Sequence, residues 1–263
     1  MRLAGKVILI TGSCTGIGSA IARKCAKEGA KVVIHGLDEK LGENLVNELG
    51  RENATLIIKD ITAPNAPQLL VSHTIEVFGK LDAIVNNAAM VASSDIESTS
   101  MELLQKMLNV NTIAPFALIQ AALPHLTQSN GCVLNIGSIN AWCGEHNLLA
   151  YSISKGALMT LTRNLGDSLF RTNGVRVNQI NPGWVLTERE VLGKIEQGLK
   201  TNWYEEVSDI FAPAHRLFSL DEIAAAAVYW LSDECGPVSA QVMDLEQFPM
   251  IGRNLSKNVK YST

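Results

Sequence analysis

The chain of 263 residues carries a formal net charge of −4, is 47% hydrophobic and only 5% aromatic. That length builds one large domain or two small ones, and the mild acidity gives no electrostatic reason for nucleic acid or an anionic membrane as partner. No window holds the roughly 18 uninterrupted apolar residues of a membrane span, and the start "MRLAGKVILITG" lacks the h-region of a signal peptide. The five cysteines (14, 25, 132, 143 and 235) form no CxxC pair, which points to free thiols in a reducing cytoplasm. The five histidines are dispersed and no His/Cys/Asp spacing suits a metal.

In chain order, "KVILIT" (6–11) reads as a strand and "IGSAIARKCAKEG" (17–29) as a helix whose Ile17, Ala20, Ile21 and Cys25 share one face. Gly29 closes that helix. "KVVIH" (31–35) leads to a polar helix at about 38–49, and "TLIIK" (55–59) to one at about 66–79. "LDAIVN" (81–86) precedes a long helical stretch from about 100 to 127, and "CVLNIG" (132–137) precedes another at about 150–172. "VRVNQI" (175–180) and "AQVMDL" (240–245) complete about seven strands. Strands this short and apolar suit a parallel sheet covered on both faces. End-to-end alternation with helices argues a single-domain α/β, Rossmann-like doubly wound fold over about 1–250, with a polar tail at 251–263. The least patterned stretch, about 184–215, is either a flap over a site or an ordinary surface insertion.

"TGSCTGIG" (11–18) lies between the first strand and the first helix. There Gly12, Gly16 and Gly18 permit a tight turn and close backbone approach, so that the amides of Ser13, Thr15 and Ile17 face a pyrophosphate. This GxxxGxG spacing, with "NNAA" (86–89), Asn111, Ser138, Tyr151, Lys155 and "NPGWVLT" (181–187) in order, resembles the short-chain dehydrogenase/reductase family over roughly 4–245. The resemblance implies a nicotinamide dinucleotide, hydride transfer to or from an alcohol or carbonyl carbon, and a homo-oligomer, commonly a tetramer.

Tyr151 and Lys155 are four apart and share a helix face. A free phenol has a pKa of about 10, and lowering it by about three units takes roughly 4 kcal/mol. A cation at about 4 Å, at an effective dielectric of about 20, supplies that much. The expectation is that Lys155 and an oxidised nicotinamide make Tyr151 an acid/base, while Ser138 hydrogen-bonds the substrate oxygen. By resemblance, Asn111 positions water in a proton relay to Lys155, and Lys155 also bonds the nicotinamide ribose. By resemblance too, Asn87, Ala88 and Ala89 flank the cofactor, although Ala89 could simply pack. Asp60 and Ile61 fall where adenine is contacted, an exposed turn aspartate being the alternative. Pro182, Gly183, Val185 and Thr187 would meet the nicotinamide amide and nearby phosphate.

Gly36 stands where an NAD-selecting acid often falls, and Leu37 where an NADP-selecting arginine does. Asp38 either repels a 2′-phosphate or caps the second helix. With no cation there or in Ser13-Cys14-Thr15, NAD is the expected cofactor and NADP the alternative. Asn140, Trp142, Glu145 and His146 before Tyr151, with Trp184, Glu188 and Arg189 after the sixth strand, suggest a polar small-molecule substrate such as a sugar or polyol. The rivals are an NADP-dependent carbonyl (oxoacyl-type) reductase and a non-catalytic nicotinamide sensor. One departure stands out: the last strand runs into "MDLEQFPM" where the family has a glycine pair, which should alter subunit packing.

Overall fold

A computed structural model describes residues 1–251 and 253; the polar end of the expected tail lies outside the described residues. The first half runs β1 (Val7–Ile10), α1 (Gly16–Lys27), β2 (Lys31–Gly36), α2 (Glu39–Leu49), β3 (Ala54–Ile58), α3 (Ala66–Phe78) and β4 (Ala83–Asn86). Next come α4 (Met101–Leu108), a π-helical turn (Asn109–Ile113), α5 (Ala114–Ser129) and β5 (Cys132–Ile136). The chain continues through α6 (Asn140–Cys143), α7 (Leu149–Asn173), β6 (Arg176–Pro182), α8 (Glu188–Glu196), α9 (Leu220–Leu231) and β7 (Val242–Leu245).

The seven strands form one parallel sheet in the order β3-β2-β1-β4-β5-β6-β7. Alternation along each strand divides the side chains between two layers, because successive residues point to opposite faces. Ile8, Ile10, Val32, Ile34, Val85 and Leu134 pack with α1, α2 and α9 on one side, while Leu9, Val33, Ile84 and Val133 pack with α3 and α5 on the other. Truncating a core leucine such as Leu118, which is fully buried, would cost about 2–5 kcal/mol. The strand order reverses between β1 and β4, and a doubly wound sheet opens its ligand crevice there, beyond the carboxyl ends.

The single long helix expected at about 100–127 is two helices joined by the π turn, and together Met101–Ser129 is long and apolar enough to cross a membrane. Leu118, Ile119, Ala122 and Leu126 instead bury against the sheet. α9 went unanticipated, although Ser219 and Glu222 make a reciprocal capping box at its start. The segment 184–215 folds around a small core of its own, with Trp203, Ala212 and Leu217 packed by Trp184, Leu186 and Tyr204.

Candidate active site

The glycine loop follows β1 with Gly12 at φ +62° and Gly16 at φ +56°, conformations that favour glycine. A Cβ on Gly12 would lie 2.7 Å from the Ala88 Cα, and one on Gly18 would overlap the Gly12 carbonyl and the Asn87 amide. On Gly16 it would meet nothing within 4 Å. That open space lies at the start of α1, beside the exposed Thr15, whose hydroxyl makes no capping bond. Helix-start amides without side-chain caps around an open cradle are what a pyrophosphate requires. Ser13 does not share that role through its hydroxyl, which is buried and bonded to the Ile10 carbonyl (2.7 Å) and the His35 amide (3.0 Å).

From β4, Asn87 braces the loop: its side-chain amide donates to the carbonyls of Thr11 and Gly12, both at 2.9 Å. The amides of Asn87 and Ala88 donate to the Thr11 hydroxyl (3.0 and 3.1 Å), and Ala89 is exposed. Beyond β2, Leu37 is 73% exposed and Asp38 caps α2 by accepting the Leu41 amide at 2.9 Å. Asp60 takes the turn role, accepting from the amide and hydroxyl of Thr62, and these bonds hold its pKa below the usual carboxylate value. The Ile61 side chain is core, so only its backbone is left for adenine.

At the carboxyl end of β5, Ser138 faces Tyr151 and Lys155 on α7. The Lys155 ammonium is 2% exposed, lies 5.7 Å from the centre of the Tyr151 ring and donates to the Ile136 carbonyl at 2.7 Å. Burial pushes Lys155 down to about 8. Burial also pushes Tyr151 up to about 12, with the Ser138 hydroxyl pulling the other way. The expected acidity of the phenol thus has to overcome the loss of water around it, which is where the expected positive charge of an oxidised nicotinamide would add to that of Lys155.

Asn111 sits within the π turn, a feature frequent at functional sites. Its side-chain oxygen accepts the Met90 amide (2.8 Å), and its nitrogen donates to the Met90 carbonyl and the Ser154 hydroxyl, both at 2.9 Å. The side chain thus ties the loop after β4 to α7 beside Lys155.

Two of the expected substrate residues have their indole N–H groups already paired within the protein. The Trp142 indole donates to both carboxylate oxygens of Asp244 at 2.9 Å, with Arg163 stacked on its ring. The Trp184 indole donates to Glu190 (2.8 Å) and stacks on Trp203. Thr187 accepts the Glu190 amide as the cap of α8, and Val185 is buried. Pro182, the last residue of β6, and Gly183 form the wall beside Ile139. Asn140 is part-buried next to Ser138, whereas Glu145, His146, Glu188 and Arg189 are exposed.

Sequence reasoning missed a buried polar chain beneath the site. Asn86 donates to Asn135, Asn135 to Thr162 (both 2.8 Å), Thr162 to Gln179 (2.7 Å) and Gln179 to Asn181 (2.7 Å). Asn181 then accepts the Ser138 amide at 3.2 Å and donates to Asp244 at 2.9 Å. Every member is hydrogen-bonded, so the bonds offset the cost of burying these groups and the chain stiffens the carboxyl edge from β4 to β7. The residues replacing the glycine pair are Leu245, which joins the core, and Glu246, whose carboxylate lies where a Gly183 side chain would be. A 530 Å³ concavity between α1 and residues 216–221 contains none of these groups, and its arginines are already paired, Arg23 with Glu48 and Arg216 with Glu222.

A family profile described as enoyl-(acyl carrier protein) reductase, within the short-chain dehydrogenase group, matches residues 12–246. The chain belongs to the short-chain dehydrogenase/reductase family. It is 37% identical over 234 residues to L-fucose dehydrogenase of Mus musculus, covering 88% of this chain and 84% of that one. It is 34% identical over 250 residues to an uncharacterized oxidoreductase of Thermotoga maritima, covering 94% and 98%. Among solved structures, L-sorbose reductase from Gluconobacter frateurii complexed with NADPH and L-sorbose superposes with a TM-score of 0.87 at 26% identity, covering 94% of this chain and 97% of that one. The protein is an NAD(P)-dependent oxidoreductase acting between alcohol and carbonyl, which excludes the non-catalytic sensor.

Proposed function

We propose that this protein interconverts a secondary hydroxyl and a ketone on a sugar or polyol, using NAD, with Tyr151 as the acid/base. The observation that carries it is the convergence of Ser138, Tyr151 and the buried Lys155 ammonium beside the glycine cradle. In oxidation, the Ser138 hydroxyl orients the substrate oxygen and Tyr151 takes its proton; in reduction, Tyr151 returns a proton to the carbonyl oxygen. Lys155 stabilises the phenolate from below the ring, and Asn111 holds α7 in place through Ser154. The dinucleotide would be held with its pyrophosphate on the amides around Gly16 and Thr15 and its nicotinamide against Pro182 and Gly183, where the nicotinamide would supply the hydride acceptor or donor and, oxidised, a second positive charge.

Similarity to the L-fucose and L-sorbose enzymes supports the sugar class. Glu246 supports it too: its carboxylate is half-buried over Gly183, burial raises its pKa, and one oxygen accepts only the next amide, leaving the other to take a substrate hydroxyl. The segment 184–215 would cover the substrate. NAD is favoured because the exposed Leu37 stands where an NADP-selecting arginine often falls and Asp38 follows it directly, the first cation along the chain being Lys40, inside α2. The second reading, NADP, is favoured by the NADPH in the sorbose reductase complex. Five unpaired thiols support a cytoplasmic setting, and a homotetramer is the expected assembly. A panel of sugars, polyols and apolar secondary alcohols with each dinucleotide, following absorbance of the reduced form, tests the reading. Turnover confined to apolar ketones, or higher kcat/KM with NADP, would contradict its substrate or its cofactor respectively.

A further inference from the structure

We infer that His35 is a positioning residue for dinucleotide binding, and that its protonation loosens the glycine loop and weakens that binding in acid. His35 lies near the end of β2, 2% exposed, directly under the loop after β1. Its ring accepts the Gly12 amide at Nδ1 (3.3 Å), and its Nε2 lies 2.9 Å from the Lys59 carbonyl. Its backbone amide donates to the Ser13 hydroxyl at 3.0 Å, while the Ser13 amide donates to the His35 carbonyl at 2.8 Å. One residue on β2 thus holds both peptide units at the turn where Gly12 takes its positive φ, and the same turn aims the amides of the cradle.

The partners fix the ring's protonation. An amide can only donate and a carbonyl can only accept, so Nδ1 carries a lone pair and Nε2 carries the hydrogen. A second proton on Nδ1 would set donor against donor at Gly12 and place a cation in a site closed to water. The charged group facing the ring is Asp60, beyond β3, which draws the pKa of His35 upward. Asp60 is itself held low by Thr62 and lies near Lys106. On the neighbouring elements, the Cys14 thiol lies against Gly36, Asp38 opens α2 and Lys59, whose carbonyl meets the ring, follows β3; burial raises the thiol, so it carries no charge here. Burial outweighs both the Lys59 carbonyl and Asp60, and His35 titrates below its ordinary 6.5. The neutral ring is the competent form, so affinity is constant above that value and falls as pH drops through the depressed pKa, approaching about tenfold per pH unit. This concerns the dinucleotide alone and stands whatever the substrate proves to be.

The experiment is a fluorescence titration with NADH and with NADPH between pH 5 and 8, for the wild type, His35→Asn and His35→Leu. Asparagine offers Gly12 an acceptor that does not titrate; leucine offers none. The wild-type Kd should rise as pH falls through the depressed His35 pKa, which ¹⁵N-histidine NMR of the same protein locates, and pH slopes are compared only across that pKa. The His35→Asn protein should bind nearly independently of pH, after any ionisation of the 2′-phosphate common to both proteins is subtracted. The His35→Leu protein should bind weakly at every pH. Equal pH slopes in the wild type and His35→Asn, or wild-type affinity in His35→Leu at pH 8, would overturn the inference. Should the variants not fold, ¹⁵N-histidine NMR of the wild type decides: saturating dinucleotide must lower the His35 pKa further, and an unchanged value refutes the coupling.

Discussion

The Lys155 ammonium lies 5.7 Å from the centre of the Tyr151 ring, yet its one hydrogen bond goes to the Ile136 carbonyl. The pair is adjacent without being an ion pair, and each group is biased by burial toward its neutral form. In the dinucleotide-free protein, Tyr151 should therefore ionise above the ordinary 10, toward about 12. The neutral phenol is the form the fold favours, so its contribution to stability is complete below pH 10 and is lost as pH rises through the folded value. An ultraviolet difference titration of wild type against Tyr151→Phe checks this; an ionisation near 7 without dinucleotide would contradict it. Tyr151→Phe itself should retain dinucleotide binding and lose turnover by about a hundredfold or more.

Lys155→Met should stabilise the protein while abolishing activity. Holding the lysine near 8 instead of 10.5 makes the buried ammonium cost roughly 3 kcal/mol at neutral pH. Losing its bond to Ile136 gives back about 1–2 kcal/mol. The net gain of about 1–2 kcal/mol is a Tm rise of a few degrees. In the wild type the folded pKa lies below the unfolded one, so stability contributed by this group increases from pH 8 to 10.5 as the unfolded chain binds the extra proton. Thermal melts of both proteins across that range should converge as pH rises.

The layered fold and the reacting trio were legible because each rests on local pattern: apolar runs at strand length, glycines between strand and helix, and a four-residue spacing on one helix face. What escaped rests on long-range partners. Trp142 finds Asp244 across 102 positions, and nothing near either residue announces it. His35 reads as one more residue of a buried strand until the loop from β1 closes over it. The π turn at Asn111 has no signature in "NVNTI", since it comes from packing between α4, α7 and the loop at Met90. α9 is a different case, for its Ser219/Glu222 capping box was readable in "SLDEIAAAA".

Gly16→Ala and Gly12→Ala should separate binding from folding. At Gly16 an alanine costs only the positive φ, about 1 kcal/mol, because no atom lies within 4 Å of the new Cβ. That methyl enters the cradle, so dinucleotide Kd should rise at least about tenfold with little change in Tm. At Gly12 the methyl meets the Ala88 backbone at 2.7 Å, and the protein should lose Tm before binding can be measured. A fluorescence titration and a thermal melt on each variant check both halves, and the reverse ranking would refute the cradle.

Asp244→Ala should damage turnover without touching the dinucleotide site. Asp244 accepts from Trp142 on α6, before Tyr151, and from Asn181, which in turn accepts the Ser138 amide. Removing the carboxylate hands the exposed indole N–H to water and leaves the part-buried Asn181 amide without this partner, about 1 kcal/mol of lost positioning. The cost falls on the loop carrying Ser138 and on the start of α7, since the glycine cradle is braced separately by Asn87 and Thr11. A misplacement of this kind lowers kcat/KM by about ten- to a hundredfold. Asp244→Asn, which keeps an acceptor for the indole, should recover most of it. Dinucleotide Kd should be the same in all three proteins, and a parallel loss of dinucleotide affinity would show that the two halves of the site are not independently held.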